Sequence, residues 1–252
     1  MKNIGVIDSG VGGLTVLFDV IEEYPNCNYY YIGDSKNCPY GIKSNNEIKE
    51  LSYKIVKYLK ENKNIDILII ACNSISSTST KFLQEKFPNL QIIETIIPTS
   101  HYTKKYVKNN KIGIIATNAT INSHAYENNL KEYQTFSKAC PIFVNIVENG
   151  FINTNEEEII FKELKSVLEN DIDTLILGCT HFPLLIPTIR KVFGGRIVTS
   201  SKAILSELDN ILIHENKVGN LEIYTTAEAS VFKEQIKNMF HRNEKVNKIE
   251  LD

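Results

Sequence analysis

Two cysteines that end similar apolar runs are the residues best placed to do chemistry. Cys72 follows the run 67–71, and Cys179 follows the run 174–178, 107 positions later (179 minus 72). Continuous apolar runs of this length are typical of strands covered on both faces, as in a parallel sheet. The carboxyl ends of such strands form the edge at which open α/β folds bind ligands. The sequence therefore predicts two thiols, one from each half of the chain, on opposite sides of one small molecule.

The other three cysteines, Cys27, Cys38 and Cys140, are interpreted as small buried apolar residues. Five cysteines are an odd number, and the sequence contains no C-x-x-C. In a reducing compartment such thiols are reactive or buried and do not form a disulfide framework. No zinc-binding spacing is present either, so no metal site is predicted.

A glycine-rich loop follows the first apolar run, at residues 8–15. Its glycines would let a ligand approach the backbone and the start of the next helix, where an anion binds well. The simpler interpretation, a tight turn between strand and helix, is favoured for a single glycine loop. The pattern is neither G-x-G-x-x-G nor a Walker loop, so no nucleotide is indicated.

Strands and helices alternate along the whole chain. Strands are predicted at 4–7, 29–33, 66–71, 91–98, 112–117, 142–150, 173–178 and 221–225. Helices are predicted from residue 14 onward, at 45–61, 78–87, 119–133 and 155–169, from 182 onward, and at 204–213 and 228–240.

The order of elements restarts halfway along the chain. The segment 112–117 resembles 4–9 at an offset of 108 (112 minus 4), close to the offset between the cysteine strands. Two similarities at nearly one offset indicate an internal duplication. The tail beyond residue 201 exceeds two equal repeats, which suggests that the chain returns to complete its first half.

Composition excludes several classes of protein. The chain has 252 residues, 42% hydrophobic and 23% charged, with a formal net charge of −2. These values fit a globular protein and give no reason to expect nucleic acid or an anionic membrane as a partner. No apolar stretch is long enough to span a membrane, and the N-terminus does not resemble a signal peptide. A cytoplasmic location is expected.

Four motifs together carry a resemblance to a known family. They are DSGVGG at 8–13, PYG at 39–41, ACNS at 71–74 and GCTHFPL at 178–184. With these motifs in the family's order and spacing, the chain resembles the glutamate racemases over nearly its full length. That family belongs to the cofactor-independent aspartate/glutamate racemase superfamily.

The resemblance implies an α/β fold of two pseudo-symmetric open lobes with mainly parallel sheets and the active site in the cleft between them. The first lobe would comprise 1–97 plus 205–252, and the second 98–204. It also implies racemisation of glutamate for peptidoglycan synthesis, no cofactor, and a homodimer.

The resemblance further assigns roles to residues. Cys72 would be the base for D-glutamate and Cys179 the base for L-glutamate, supported by Asp8, Asp34, Glu148 and His181. The substrate contacts that it implies are Asp8, Ser9, Pro39, Tyr40, Gly41, Asn73, Ser74, Thr117, Thr120, Thr180 and His181.

The chemistry explains why such residues are needed. Moving a proton from one face of Cα to the other requires a base on each face, and each base alternates as acid and base. One cysteine should therefore rest as thiolate and the other as thiol, with Asp8 and His181 assisting opposite cysteines. Hydroxyls of Ser9, Ser74 and Thr180 and backbone N–H groups could bind the substrate carboxylates. Asp8 cannot donate to a carboxylate when ionised, so it should meet the ammonium group or a thiol.

Several positions depart from the family pattern: Ser74, Ile75, Ala116, Asn145 and the segment 226–228. None removes a proposed base. They keep open a related racemase acting on aspartate or a hydantoin, and a non-catalytic amino-acid-binding protein. Glu148 taken alone could be a solvated carboxylate, and Asp34 could cap a turn. The remaining histidines are interpreted as structural: His101, His124, His214 and His241.

Overall fold

The computed structural model describes residues 1–150, 155–215 and 217–251. Every pairing between its strands is parallel. The strands are β1 Asn3–Asp8, β2 Asn28–Gly33, β3 Ile67–Ile70, β4 Gln91–Ile93, β5 Lys111–Ala116, β6 Gln134–Ala139, β7 Thr174–Gly178, β8 Arg196–Thr199, β9 Leu221–Thr225 and β10 Val246–Lys248.

Helices connect most of these strands. The α-helices are α1 Leu14–Glu23, α2 Asn45–Lys63, α3 Asn73–Lys86, α4 Ile96–Lys104, α5 Asn118–Asn122, α6 Ala125–Asn129, α7 Pro141–Glu148, α8 Glu156–Leu168, α9 Ile186–Ile189, α10 Ser200–Leu208 and α11 Ala229–Phe240. Short 3-10 helices occupy Ser35–Asn37, Tyr40–Ile42 and Phe182–Leu185. Within the described ranges, no helix is both long and apolar enough to cross a membrane.

The strands form two sheets with the same local order. The six-stranded sheet runs β10-β9-β2-β1-β3-β4, and the four-stranded sheet runs β6-β5-β7-β8. The order β2-β1-β3-β4 therefore matches β6-β5-β7-β8, and the two cysteine strands, β3 and β7, occupy equivalent places. This agrees with the duplication inferred from sequence and gives an α/β fold of two pseudo-symmetric lobes, named here the six-stranded and the four-stranded lobe.

Each sheet is covered by apolar side chains. In the six-stranded lobe, one cluster includes Val6 and Ile69 with Leu17 of α1, and a second includes Ile7 with Ile55 of α2. The four-stranded lobe has corresponding clusters around Leu177 and Ile114. Burial on both faces explains why the cysteine strands are uniformly apolar.

The division of the chain between lobes stays a prediction. Strands β1–β4, β9 and β10 lie in one sheet and β5–β8 in the other. The predicted boundaries at 97/98 and 204/205 fall inside α4 and α10, two helices that pack against each other.

One predicted element is wrong in kind. Residues 142–150 were expected to form a strand that leads into a loop, but Pro141–Glu148 is helix α7. Its buried residues Phe143, Val144, Ile146 and Val147 follow helical spacing, and Pro141 suits the first turn. The β-branched composition of the segment favoured a strand, and packing of the apolar helix face overrode it.

Other differences concern boundaries. The strand predicted over 91–98 ends at Ile93, because the Glu94 carboxylate accepts the N–H groups of Ile96 and Ile97 and starts α4. The helix predicted over 119–133 is two short helices, α5 and α6. The helices predicted over 78–87 and 204–213 begin earlier, at Asn73 and Ser200. Strands β6, β8 and β10 were not predicted.

Candidate active site

Both cysteines that end apolar strands line one narrow cavity between the lobes. Cys72 lies between β3 and α3, and Cys179 directly follows β7. Together with the space at its mouth that is open to solvent, the cavity has a volume of about 270 Å³. Its lining residues are Ser9, Pro39, Tyr40, Gly41, Cys72, Asn73, Ser74, Thr117, Val144, Cys179, Thr180 and His181. All of these except Val144 were singled out from the sequence; Asp8, Asp34, Thr120 and Glu148 lie outside the lining.

Cys72 lies beside a buried acid. Its Sγ atom is 3.9 Å from Oγ of Ser9, and its side chain is 4% exposed. Burial, and then the charge of Asp8, raise the pKa of the Cys72 thiol. Such surroundings favour the neutral thiol at this position.

Asp8 accepts hydrogen bonds from the glycine loop. The N–H of Gly10 donates to Oδ2 at 3.1 Å, and Gly13 also donates to the carboxylate. The anion bound by this loop is therefore the chain's own aspartate. Burial raises the pKa of Asp8, although the charge of His181 and these hydrogen bonds oppose the shift.

Cys179 lies beside a histidine–glutamate pair. Nδ1 of His181 is 3.7 Å from Sγ of Cys179, and Nε2 is 2.6 Å from Oε1 of Glu148. Burial opposes the charged imidazole, but the interactions with Cys179 and Glu148 outweigh it and hold the pKa of His181 well above its usual value. Burial likewise opposes ionisation of Glu148, yet the His181 hydrogen bond brings its pKa below the usual value. The charge of the imidazolium therefore lies next to the sulfur of Cys179.

The glycine loop is also a place of close approach between the lobes. A Cβ on Gly12 would lie 2.6 Å from Nδ1 of His181 and 2.7 Å from Oγ1 of Thr180. A Cβ on Gly41 would lie 2.5 Å from Cβ of Thr117. At both positions a side chain would push apart the surfaces that enclose the cavity.

Asp34 supports the loop that carries Tyr40. Its carboxylate accepts hydrogen bonds from the hydroxyl of Tyr40 and from Thr226 Oγ1, the latter at 2.6 Å, and from the amide of Asn37. Its backbone oxygen also accepts from the N–H of Asn37. The side chain thus holds the 39–41 loop against the cavity and does not line the cavity itself.

Hydroxyl groups join the lobes on the other side of the cavity. Oγ of Ser74 lies 2.9 Å from Oγ1 of Thr117, which in turn donates to Oγ1 of Thr120 at 3.1 Å. The N–H of Thr120 contacts Thr117 at 3.4 Å, so the threonine pair starts α5. Ser74, a departure from the family pattern, keeps the hydroxyl that makes the contact between lobes.

Asn73, which lines the cavity, has a side-chain acceptor without a partner. Its Nδ2 donates to the hydroxyl of Tyr126 at 2.9 Å and to Oγ of Ser200 at 3.3 Å. Its Oδ1 is buried and has no hydrogen-bond partner among the described residues. A buried acceptor without a partner is costly, so this atom is a natural contact for an N–H donor of a ligand.

Sequence reasoning missed several residues of the site. Val144 was hidden in the segment misread as a strand. Thr226 was noticed only as part of a departure from the family pattern. Tyr126 and Gln235, whose amide donates to Oε2 of Glu148 at 2.8 Å, carry no signal in the sequence. Cys38, interpreted as a buried apolar residue, is half-buried with its Sγ 3.9 Å from Oε1 of Glu148.

The remaining departures do not disturb this arrangement. Ile75 is fully buried in the core of the six-stranded lobe, and Asn145 is exposed on α7. Ala116 is buried at the end of β5. No cluster of three or more potential metal-ligating His, Cys, Asp or Glu side chains occurs in the described part of the chain.

Comparison with known proteins gives matches over nearly the whole chain. Residues 17–208 match the family described as Asp/Glu/Hydantoin racemase. The glutamate racemase of a Sulfurihydrogenibium species is 41% identical over 254 residues, which covers 98% of this chain and 97% of the relative. The crystal structure of glutamate racemase isoform RacE1 from Bacillus anthracis is 34% identical with a TM-score of 0.94, covering 99% of this chain and 98% of that one. The glutamate racemase of Francisella tularensis, solved in complex with D-glutamate, is 29% identical with a TM-score of 0.90 and covers 100% of this chain and 98% of that one.

Proposed function

The chain belongs to the Asp/Glu/Hydantoin racemase family, and on that premise we propose that it interconverts L-glutamate and D-glutamate. The observation that carries this proposal is the pair of thiols, Cys72 and Cys179, on one enclosed cavity. The named relatives support glutamate as substrate. The product D-glutamate would serve peptidoglycan synthesis.

The proposed reaction is a proton transfer across Cα. With L-glutamate bound, the Cys179 thiolate removes the Cα proton, and the Cys72 thiol delivers a proton to the opposite face. The Cα electron pair formed in the first transfer makes the new C–H bond in the second, so nothing is oxidised and no cofactor is consumed. With D-glutamate the two cysteines exchange roles. The imidazolium of His181 lies beside Cys179, while burial and the charge of Asp8 favour the neutral thiol of Cys72.

The cavity offers contacts for both charged ends of an amino acid. Oδ1 of Asn73 is free to accept from the ammonium group. The hydroxyls of Ser9, Ser74 and Thr180 line the same space and can donate to carboxylates. Because these side chains are buried, bound substrate is removed from water, which strengthens the interactions that stabilise the charge developing at Cα.

The test is isotope exchange with defined variants. Wild-type protein in D2O should convert either enantiomer of glutamate to the racemate and place deuterium at Cα, whereas Cys72→Ser and Cys179→Ser should lose racemisation. Exchange with aspartate or a hydantoin but not with glutamate would favour the related racemases. Calorimetric binding of D-glutamate without any exchange would favour a binding protein.

Two further parts of the proposal concern assembly and location. A homodimer is proposed on the resemblance to glutamate racemases, and sedimentation of the purified protein at several concentrations tests it. A cytoplasmic location is proposed on the resemblance to glutamate racemases, and fractionation of expressing cells tests it.

A further inference from the structure

Helix α11 packs on both lobes and reaches the histidine–glutamate pair. Phe232 and Ile236 are buried in the core of the six-stranded lobe. Met239, on the same face at helical spacing, packs against this core and against the core of the four-stranded lobe. Gln235 lies between these residues and is half-buried. The helix therefore carries one polar side chain toward the junction between the lobes.

The amide of Gln235 donates a hydrogen bond to the second carboxylate oxygen of Glu148. Oε1 of Glu148 is used by His181 at 2.6 Å and faces Sγ of Cys38 at 3.9 Å, whereas Oε2 accepts from Nε2 of Gln235 at 2.8 Å. Glu148 ends α7 in the four-stranded lobe, while α11 packs on β9 and β10 of the other lobe. The hydrogen bond thus joins the lobes directly behind the imidazole.

We infer that Gln235 is a positioning residue that fixes the Glu148 carboxylate, and through it His181, when the two lobes are closed. The inference rests on the proposed function. A carboxylate held at both oxygens presents one of them to the imidazole in a fixed direction, and this determines which ring nitrogen faces the thiol. Separation of the lobes would remove the amide from Glu148, so α11 links closure of the cavity to the state of the Cys179 base.

The charged and titratable groups around Glu148 determine how its pKa should respond to a substitution of Gln235. Among the described residues, the titratable groups that face Glu148 are His181, Cys38 and Tyr31. Burial raises the pKa of Cys38 and of Tyr31, so both stay neutral near neutral pH. The charge on Glu148 is therefore stabilised by His181 and by neutral donors, which include Gln235 and the N–H of Val11. Loss of the amide should raise the pKa of Glu148.

The test compares Gln235→Met, which keeps the length of the side chain but loses the amide, with Asn238→Leu, a matched loss of an amide at an exposed position of α11. For Gln235→Met we expect kcat to fall about tenfold with little change in KM, because Gln235 does not line the cavity. The acidic limb of the pH profile of kcat/KM should move upward by roughly one pH unit. Gln235→Glu, which brings a like charge to Glu148, should move it further. Asn238→Leu should match the wild type.

The outcomes separate this inference from the proposed function. A wild-type protein that racemises no amino acid rejects the proposed function before any variant is made. An active wild type with an unchanged kcat and an unchanged acidic limb in both Gln235 variants rejects the positioning role. Thermal unfolding of each variant identifies one that is poorly folded. Since a general loss of fold lowers activity at every pH, a shifted acidic limb distinguishes positioning from packing.

Discussion

Oγ1 of Thr180 donates a hydrogen bond of 3.1 Å to Oδ1 of Asp8, so the residue that follows Cys179 holds the acid whose charge acts on Cys72. The surroundings of the two thiols are therefore linked, because a residue of the four-stranded lobe contacts the acid beside Cys72 in the other lobe. His181 adds to this link, since its charge opposes the rise that burial causes in the pKa of Asp8.

The first prediction concerns which thiol serves which enantiomer. In Cys72→Ser, the Cys179 thiolate can still remove the Cα proton of L-glutamate, and a deuteron can return from the same side. We expect slow deuterium incorporation into L-glutamate without racemisation, and the mirror result for Cys179→Ser with D-glutamate. Chiral chromatography with mass spectrometry measures both quantities. Equal incorporation into both enantiomers by either variant would contradict the assignment of the two faces.

The second prediction concerns stability and pH. Glu148→Gln removes the partner of the buried imidazolium, which should cost about 2–4 kcal/mol of unfolding free energy near neutral pH. The raised pKa of His181 contributes stability that is complete below its unfolded value and is lost as pH rises through its folded value. The lowered pKa of Glu148 contributes stability that is lost as pH falls through its folded value.

The difference between wild type and Glu148→Gln should therefore be largest between these two limits. It should shrink at high pH, where His181 is neutral, and at low pH, where Glu148 is protonated. Urea unfolding over a series of pH values measures it. Glu157→Gln, at an exposed ion pair with Lys191, is a matched control that should change stability by less than about 1 kcal/mol. A difference independent of pH would contradict the ion pair.

The third prediction separates stability from activity at Asp8. Burial raises its pKa, so the folded state becomes less stable as pH rises from the unfolded pKa of Asp8 through its folded pKa. Asp8→Asn removes this penalty, and the midpoint of thermal unfolding near neutral pH should rise by a few degrees. The same change removes the charge that raises the pKa of Cys72, so that pKa should fall. Racemase activity should fall by roughly a hundredfold, because the carboxylate that acts on the Cys72 acid–base group would be lost.

The measurement on Cys72 is its rate of alkylation as a function of pH, in a Cys179→Ser background with and without Asp8→Asn. Three other cysteines remain, so the labelled residue is identified by peptide mass analysis. A midpoint for Cys72 that does not move, or moves upward, when Asp8 is neutralised would show that the carboxylate does not act on this thiol.

The sequence was sufficient for the parts of the molecule that repeat or that cover both faces of a strand. The runs that end at Cys72 and Cys179 predicted buried parallel strands with a cysteine at the carboxyl end of each, and both sheets contain such a strand. The loops around Ser9 and Tyr40 came from the resemblance. The local sequence was enough to predict these strands, because a strand that is buried on both faces has an uninterrupted run of apolar residues.

The residues that reasoning from sequence missed are those whose role depends on distant packing. Segment 142–150 has strand-like composition. It forms helix α7 because its apolar face packs against the rest of the lobe. Gln235 is one polar residue on an amphipathic helix, and its partner Glu148 lies 87 positions away in the chain. Thr226 reaches Asp34 across 192 positions. Such contacts depend on how helices and loops pack at the junction of the lobes. The periodicity of the local sequence does not predict that packing.

The final prediction tests how closely the lobes must approach. Gly12→Ala would place a methyl group 2.6 Å from Nδ1 of His181 and 2.7 Å from Oγ1 of Thr180, which is closer than real contacts of Cβ atoms. The imidazole or the loop must move, so KM should rise and kcat should fall, together by at least tenfold in kcat/KM, since small misplacement of reacting groups is costly. Gly194→Ala is the control, because a Cβ there meets no atom within 4 Å and its activity should match the wild type. Steady-state kinetics on both enantiomers, with thermal unfolding of each variant, measures the effect, and a fully active Gly12→Ala would show that the cavity works without this close contact.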